Sequence, residues 1–175
     1  MKVIPISGKA GHGKDTLAGF LKEDLERRGK KVLVTHYGDL IKYVCKTFFN
    51  WNGLKDQAGR TLLQHVGTEG VRSKSPDYWV RFVCDMLTFF NGEWDYVLIP
   101  DARFPNEIDM LRERGFDVTH IRITRPEFNM LTEEQQKHKT ETALDDYHDN
   151  RVEIINDGTA EDLRNKAGKL IENIL

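Results

Sequence analysis

The chain has 175 residues, of which 39% are hydrophobic and 31% charged, and its formal net charge is −2. That size suits one compact domain with one core, and the balance excludes a disordered or low-complexity protein. No basic run exceeds the pairs Arg27–Arg28 and Lys30–Lys31, and no segment nears the roughly 20 apolar residues of a membrane helix, so a duplex-binding protein and a membrane protein are both excluded.

Single nucleotides remain as anionic partners, because a few placed cations suffice for them. The first residues lead directly into a strand with no signal-peptide pattern, so the expectation is a soluble, cytoplasmic protein without membrane or polymeric nucleic-acid partners. Cys45 and Cys84 are too few and too far apart for a zinc cage or a disulfide framework and read as core thiols. The six histidines show no HxxxH or HExxH spacing and give no argument for a transition-metal site.

Val3–Ser7 is a short apolar run that predicts a strand, and it breaks into a glycine-rich turn. A helix follows, with Leu17, Phe20, Leu21 and Leu25 at i, i+3, i+4 and i+8, and Gly29 as its cap. Lys31–His36 has the β-branched content of a second strand, which completes a βαβ unit. From Asp39 to Gly92 the pattern is helical only, over Leu40–Phe49, Arg60–Val66 and Tyr78–Phe90. Tyr96–Pro100 is a third strand ending at Asp101, Asn106–Arg114 a helix closed by Gly115, and Asp117–Thr124 a fourth strand.

Pro126 interrupts the chain, and Glu127–Asn150 is polar, with Thr132 to Gln135 resembling the start of a capped helix; this segment reads as a mobile lobe. Val152–Ile155 is a fifth strand, Asn156-Asp157-Gly158 turns, and Leu163, Ala167, Leu170, Ile171 and Ile174 stripe the last helix. Strands separated by helices, without hairpin signals, predict an α/β fold whose parallel sheet is covered on both faces.

Four constellations carry chemistry. Gly8 to Thr16 reads GKAGHGKDT and matches the phosphate-loop pattern G-x-x-x-x-G-K, with Asp15 where Ser or Thr is usual. Alone, such a match is often a glycine turn beside an exposed lysine; the strand before it and the helix after it favour phosphate binding. Gly8, Gly11 and Gly13 let the backbone N–H groups, His12 among them, curl inward, the helix N-terminus adds positive potential, and Lys14 reaches the terminal phosphates. Asp15 either holds Mg2+ directly, holds its waters, or leaves the ion to Thr16.

Next, Asp101 and Arg103 follow an apolar strand, where ligands of open parallel sheets gather. Asp101 is a candidate to order Mg2+ or take a proton, with a helix cap after Pro105 as the alternative, and Arg103 to grip a phosphate. Third, Lys42, Arg60, Gln64, Arg72 and Arg81 are interleaved with Tyr43, Tyr78 and Trp79 in the helical insertion, cations for a phosphate beside aromatics for a base. Singly they are an ordinary solvated face; together they suit an acceptor site. Fourth, Arg122 and Arg125 precede the polar lobe, and a lobe closing with a cation would exclude water from a transferring phosphoryl group.

These residues resemble the phage-type deoxynucleoside monophosphate kinases, within the phosphate-loop nucleoside monophosphate kinase group. The resemblance rests on GKAGHGKDT at 8–16, LLQHVGTEGVR at 62–72 with PDYWV at 76–80, DARFPNE at 101–107, and TETALDDY at 140–147 leading to IINDGT at 154–159. It implies a three-layer α/β/α domain with a five-stranded parallel sheet (core 1–38, 93–125 and 151–175), an acceptor lobe at about 39–92 and a lid at about 126–150. It implies ATP as donor with Mg2+ and a nucleoside monophosphate as acceptor; together with the strand-end carboxylate Asp101 read above, the catalytic candidates are Lys14, Asp101, Arg103 and Arg125. Lys14 and Thr16 would bind ATP phosphates and Asn156, Gly158 and Thr159 lie near the adenine; Arg72 and Arg103 would take the acceptor phosphate, with Lys42 and Trp79 in the same site; Asp15, Thr16 and Asp101 are the metal candidates. Kinases of dephospho-coenzyme A or phosphomevalonate, and a nucleotide switch without an acceptor, are the alternatives. Base preference and a homodimer stay open.

Overall fold

Residues Lys2–Ser7 form β1 in the middle of a wholly parallel sheet. The computed structural model describes residues 1–174; the side chain of Ile174, expected in the last apolar stripe, lies outside the described residues. The sheet order is β2 (Val32–Val34), β3 (Tyr96–Ala102), β1, β5 (Ile121–Thr124), β6 (Val152–Ile155), with β4 (Asp117–Val118) also lying along β1. β1 and β3 are apolar and largely buried because helices cover both of their faces.

The expected fourth strand is therefore two, and the sheet has six strands where five were expected. The break falls at Thr119 and His120, although both still pair: Thr119 N–H donates to Val3 O at 3.0 Å and His120 O accepts from Val152 N–H at 2.9 Å. The His120 ring is held between Ser7 Oγ (2.7 Å) and the Asp149 carboxylate (2.9 Å), a buried demand that a plain apolar strand residue would not make.

Side-chain alternation divides the core. Ile4, Ile6 and Leu98 meet α1 (Lys14–Arg27) and α8 (Ala160–Ile174) through Leu17, Leu21, Leu25, Leu163 and Ala167. On the other face Val3, Val97 and Ile99 meet α4 (Tyr78–Phe89) and α5 (Asn106–Glu113) through Val80, Val83, Leu87 and Leu111. Each fully buried Leu or Ile contributes on the order of 1.5–3 kcal/mol. Cys84 lies in this second core and Cys45 is also buried. The stretch expected to form an acceptor lobe thus includes one helix, α4, that packs on the sheet.

Between β2 and β3 the chain also forms α2 (Gly38–Phe49) and α3 (Gln57–Gln64), which runs on as a π-helical segment from His65 to Arg72. Between β5 and β6 lie α6 (Glu133–Gln136) and α7 (Lys139–Thr142). The capped start read at Thr132 is present: its side chain accepts from Gln135 N–H and the Gln135 side chain reciprocates.

One irregularity aims the site. Register runs Pro5↔Ile99 and then Ser7↔Ala102, so β3 holds one extra residue, around Pro100 and Asp101. Pro100 has no N–H to give the ladder, and the resulting bulge turns the strand end beside the glycine-rich loop.

Candidate active site

The loop from Gly8 to Gly13 joins β1 to α1. Gly8 has φ 146°, and a Cβ there would lie 2.3 Å from Ile123 O, so only glycine lets the loop pass this close to β5. Asn156 braces it from β6, donating Nδ2–H to His12 O at 3.0 Å, while His12 Nδ1 accepts from Arg125 N–H at 3.2 Å. The Lys14 ammonium is folded into the curl, donating to Gly8 O (2.8 Å) and Lys9 O (2.9 Å). Burial and the neighbouring Arg103 push its pKa down to about 7.

Asp15 faces outward, its side chain 81% exposed, and its carboxylate lies 3.1 Å from His36 Nε2. That hydrogen bond lowers the Asp15 pKa and raises that of His36, whose Nδ1 is 3.2 Å from Asp39. Thr16 is also exposed at the start of α1. Among the described residues no group of three or more His, Cys, Asp or Glu side chains could hold a metal ion.

Asp101 accepts from Tyr37 N–H and Gly38 N–H, both at 2.9 Å, and so braces the first turn of α2. It is a helix-end acceptor, for α2 and not for the helix after Pro105. Burial raises its pKa against these two bonds. Arg103 Nη1 donates to Glu141 Oε1 at 2.7 Å and to Thr140 O at 3.2 Å, reaching from the sheet to the segment between β5 and β6.

Glu107 organises the turn between β3 and α5. It is buried and accepts from Arg103 N–H (2.5 Å), Phe104 N–H (3.0 Å) and Arg72 Nη2 (2.6 Å). Burial pushes its pKa up to about 7 while Arg72 opposes the shift. Arg72 also bonds Asn106 Oδ1 at 3.2 Å and stacks on Phe104, 4.0 Å from its centroid. Much of its guanidinium is engaged within the protein.

A cavity of about 260 Å³ lies in front of these groups, walled by Ile41, Leu63 and Phe104 with Lys42, Arg72 and Arg103 at its charged side. Lys42 is steadied by Asp39 at 2.7 Å, and Gln64 and Thr68 face the same space. Trp79 does not. It is 1% exposed, donates Nε1–H to Gly67 O at 2.9 Å and supports the π-helical segment from behind, so it cannot stack on a base.

Arg125 stacks on Phe128 at 4.2 Å, within a second cavity beside the loop. Arg122 bonds Leu144 O (2.7 Å) and Asp145 (2.6 Å), tying β5 to the segment beyond α7. Thr159 bonds Asp162 through its N–H and hydroxyl, at 2.8 and 2.7 Å, and so serves the start of α8, with Gly158 packed against Asp162. Two buried carboxylates at this site that the sequence did not mark out are Glu107 and Glu141. Glu107 stood in the DARFPNE stretch as a motif letter; Glu141 had only its place in TETALDDY as a signal.

The deoxynucleotide monophosphate kinase family model matches residues 32–167. The chain belongs to this family. It is 36% identical over 118 residues to the deoxynucleotide monophosphate kinase of Enterobacteria phage T4, covering 66% of this chain and 46% of that protein. It is 31% identical over 159 residues to an uncharacterized protein of Ictalurid herpesvirus 1, covering 89% and 64% respectively. The chain therefore spans about half the length of the phage relative. Among solved structures, the Mycobacterium tuberculosis APS kinase CysC, in complex with AMPPNP and APS, superposes with a TM-score of 0.54 at 15% identity, covering 98% of this chain and 97% of that one. At that identity the likeness concerns the fold alone.

Proposed function

We propose that this chain transfers the terminal phosphoryl group of ATP to the phosphate of a deoxynucleoside monophosphate. The observation that carries the reading is the position of Arg103, which lines both the 260 Å³ cavity and the small cleft beneath the phosphate loop. A cation standing between two anion sites suits a reaction that brings two phosphates together. The cavity's apolar walls and charged edge match the other parts of a nucleoside monophosphate, a flat base and an anionic end.

Phosphoryl transfer asks mainly for alignment and charge neutralisation. An acceptor phosphate oxygen attacks the γ-phosphorus in line, and the bond to the β–γ bridging oxygen breaks as ADP departs. Loop amides and Lys14 hold the donor phosphates, Arg103 and Lys42 the acceptor's charge, and Arg125 caps the donor side. The exposed oxygens of Asp15 and Thr16 are hard donors next to the loop and suit Mg2+, which typically keeps waters and takes one or two carboxylates plus substrate phosphates. That ion would neutralise charge on the donor phosphates. Asp101, with both carboxylate oxygens on backbone N–H groups, acts here as a brace of the acceptor wall. No helix among the described residues is long and apolar enough to cross a membrane.

The test is ADP release with ATP and Mg2+ against a panel of acceptors. Deoxynucleoside monophosphates should stimulate it far more than dephospho-coenzyme A or phosphomevalonate. Stimulation by one of the latter would reassign the acceptor, and slow hydrolysis indifferent to all of them would make the chain a nucleotide switch.

A further inference from the structure

Glu141, in α7, has a side chain only 8% exposed. Its Oε1 accepts from Arg103 Nη1 at 2.7 Å and its Oε2 from the backbone N–H of Ala10 at 3.0 Å. Ala10 is the third residue of the phosphate loop, and Arg103 is the cation beside it. Both are groups that the proposed reaction gives to phosphate oxygens, and the Glu141 charge is also felt by Lys14. A carboxylate thus occupies the same kind of donors that a phosphate seeks: a loop amide and a guanidinium within a partly buried, positively charged curl.

The same segment covers the loop from a second side. A Cβ at Gly11 would lie 2.6 Å from Phe128 Cε1 and 2.7 Å from Met130 Sδ, so these side chains rest on the loop backbone. Residues 128–141 therefore cap the loop with apolar groups at one end and fill it with an anion at the other.

We propose that Glu141 is a built-in competitor for the phosphate site, holding the Ala10 amide with Arg103 as its counter-ion until a polyphosphate takes the loop and frees the segment between β5 and β6. The inference rests on the loop being a phosphate site and is independent of which acceptor is used. Two anions cannot share these donors at close range in a low-dielectric setting without a large repulsion. Incoming phosphate must therefore expel the carboxylate, and the apparent affinity is lowered by the fraction of molecules in which the loop is free.

The experiment titrates inorganic tripolyphosphate, and separately ATP, into the wild-type chain, Glu141→Gln and Glu141→Asp by calorimetry. Glu141→Gln should bind both ligands on the order of 10-fold more tightly, as expected if the plugged form dominates about ten to one. Glu141→Asp, which keeps the charge, should stay within about 3-fold of wild type. In the wild-type chain, amide hydrogen exchange over residues 138–145 should rise when tripolyphosphate is added, a change that a merely structural Glu141 would not produce. Equal or weaker binding by Glu141→Gln with a native circular dichroism spectrum, or protection of 138–145 on binding, overturns the proposal. Binding of tripolyphosphate by none of the three overturns it together with the phosphate loop. If Glu141→Gln misfolds, the wild-type exchange measurement decides. A wrong acceptor has a different signature: tighter tripolyphosphate binding by Glu141→Gln, with no deoxynucleotide stimulating ADP release.

Discussion

Lys14 shows how the site's charge depends on its occupants. Burial of its ammonium and the facing Arg103 push its pKa down to about 7, well below that of an ordinary lysine. A bound triphosphate supplies opposite charge and raises that pKa, so well below pH 7 Lys14 is already charged and takes up no proton on binding. Above pH 7 binding must take one up, and ATP affinity should fall by up to about tenfold per pH unit until the complex's own pKa is reached. Calorimetry at pH 8 in buffers of differing ionisation enthalpy should register an uptake approaching one proton; no uptake would show that the lysine stays charged. Lys14→Ala should fold and lose about 100-fold or more of turnover, as other preorganised electrostatic groups do. Arg103→Ala should raise the acceptor's KM by about 10- to 150-fold, from roughly 1.5–3 kcal/mol of a charge-assisted bond, without weakening ATP. Loss of ATP binding with the acceptor spared would reverse the two substrate positions.

At the scale of elements, the segment from α3 to α4 is held by a few specific contacts. Gly67 and Gly70 would ordinarily end a helix, yet the chain continues in π-helical form to Arg72, with Gly67 O taken by Trp79 and Arg72 anchored to Glu107. These tertiary bonds place Thr68 and Arg72 on the cavity wall. Trp79→Ala should therefore act as a core truncation and cost about 3–5 kcal/mol in denaturant unfolding. Unchanged stability with a raised acceptor KM would instead return Trp79 to the base. The Ser7–His120–Asp149 chain is comparable: it joins the strand before the phosphate loop to the end of the segment that covers it, and Arg112 secures Asp149 from α5 at 2.7 Å.

Over the whole molecule, α4 joins the helical insertion to the sheet, so the insertion should not unfold by itself. All three tryptophans, Trp51, Trp79 and Trp94, lie between β2 and β3 and report on that part of the chain. Unfolding followed by tryptophan fluorescence and by far-ultraviolet circular dichroism should give coincident midpoints. A fluorescence transition that precedes the loss of helix would mean an insertion with independent stability.

Much of this architecture was legible in the chain itself, because its signals are local. Short apolar stretches running into a glycine-rich turn, a carboxylate or an Asn-Asp-Gly turn marked β1, β3 and β6, i/i+4 periodicity marked α1 and α8, and the loop pattern needs only glycines, a lysine and their spacing. Local signals also marked Arg103 by its nearness to a strand end. What a side chain meets across the fold has no such signature. The division of Asp117–Thr124 depends on His120 finding Ser7 and Asp149, the burial of Trp79 on a carbonyl 12 residues away, and the engagement of Arg72 on Glu107, 35 residues on. Glu141 reads in sequence as one more acid in a polar stretch; only the folded chain, bringing it 131 residues back to Ala10, puts its charge in the phosphate loop.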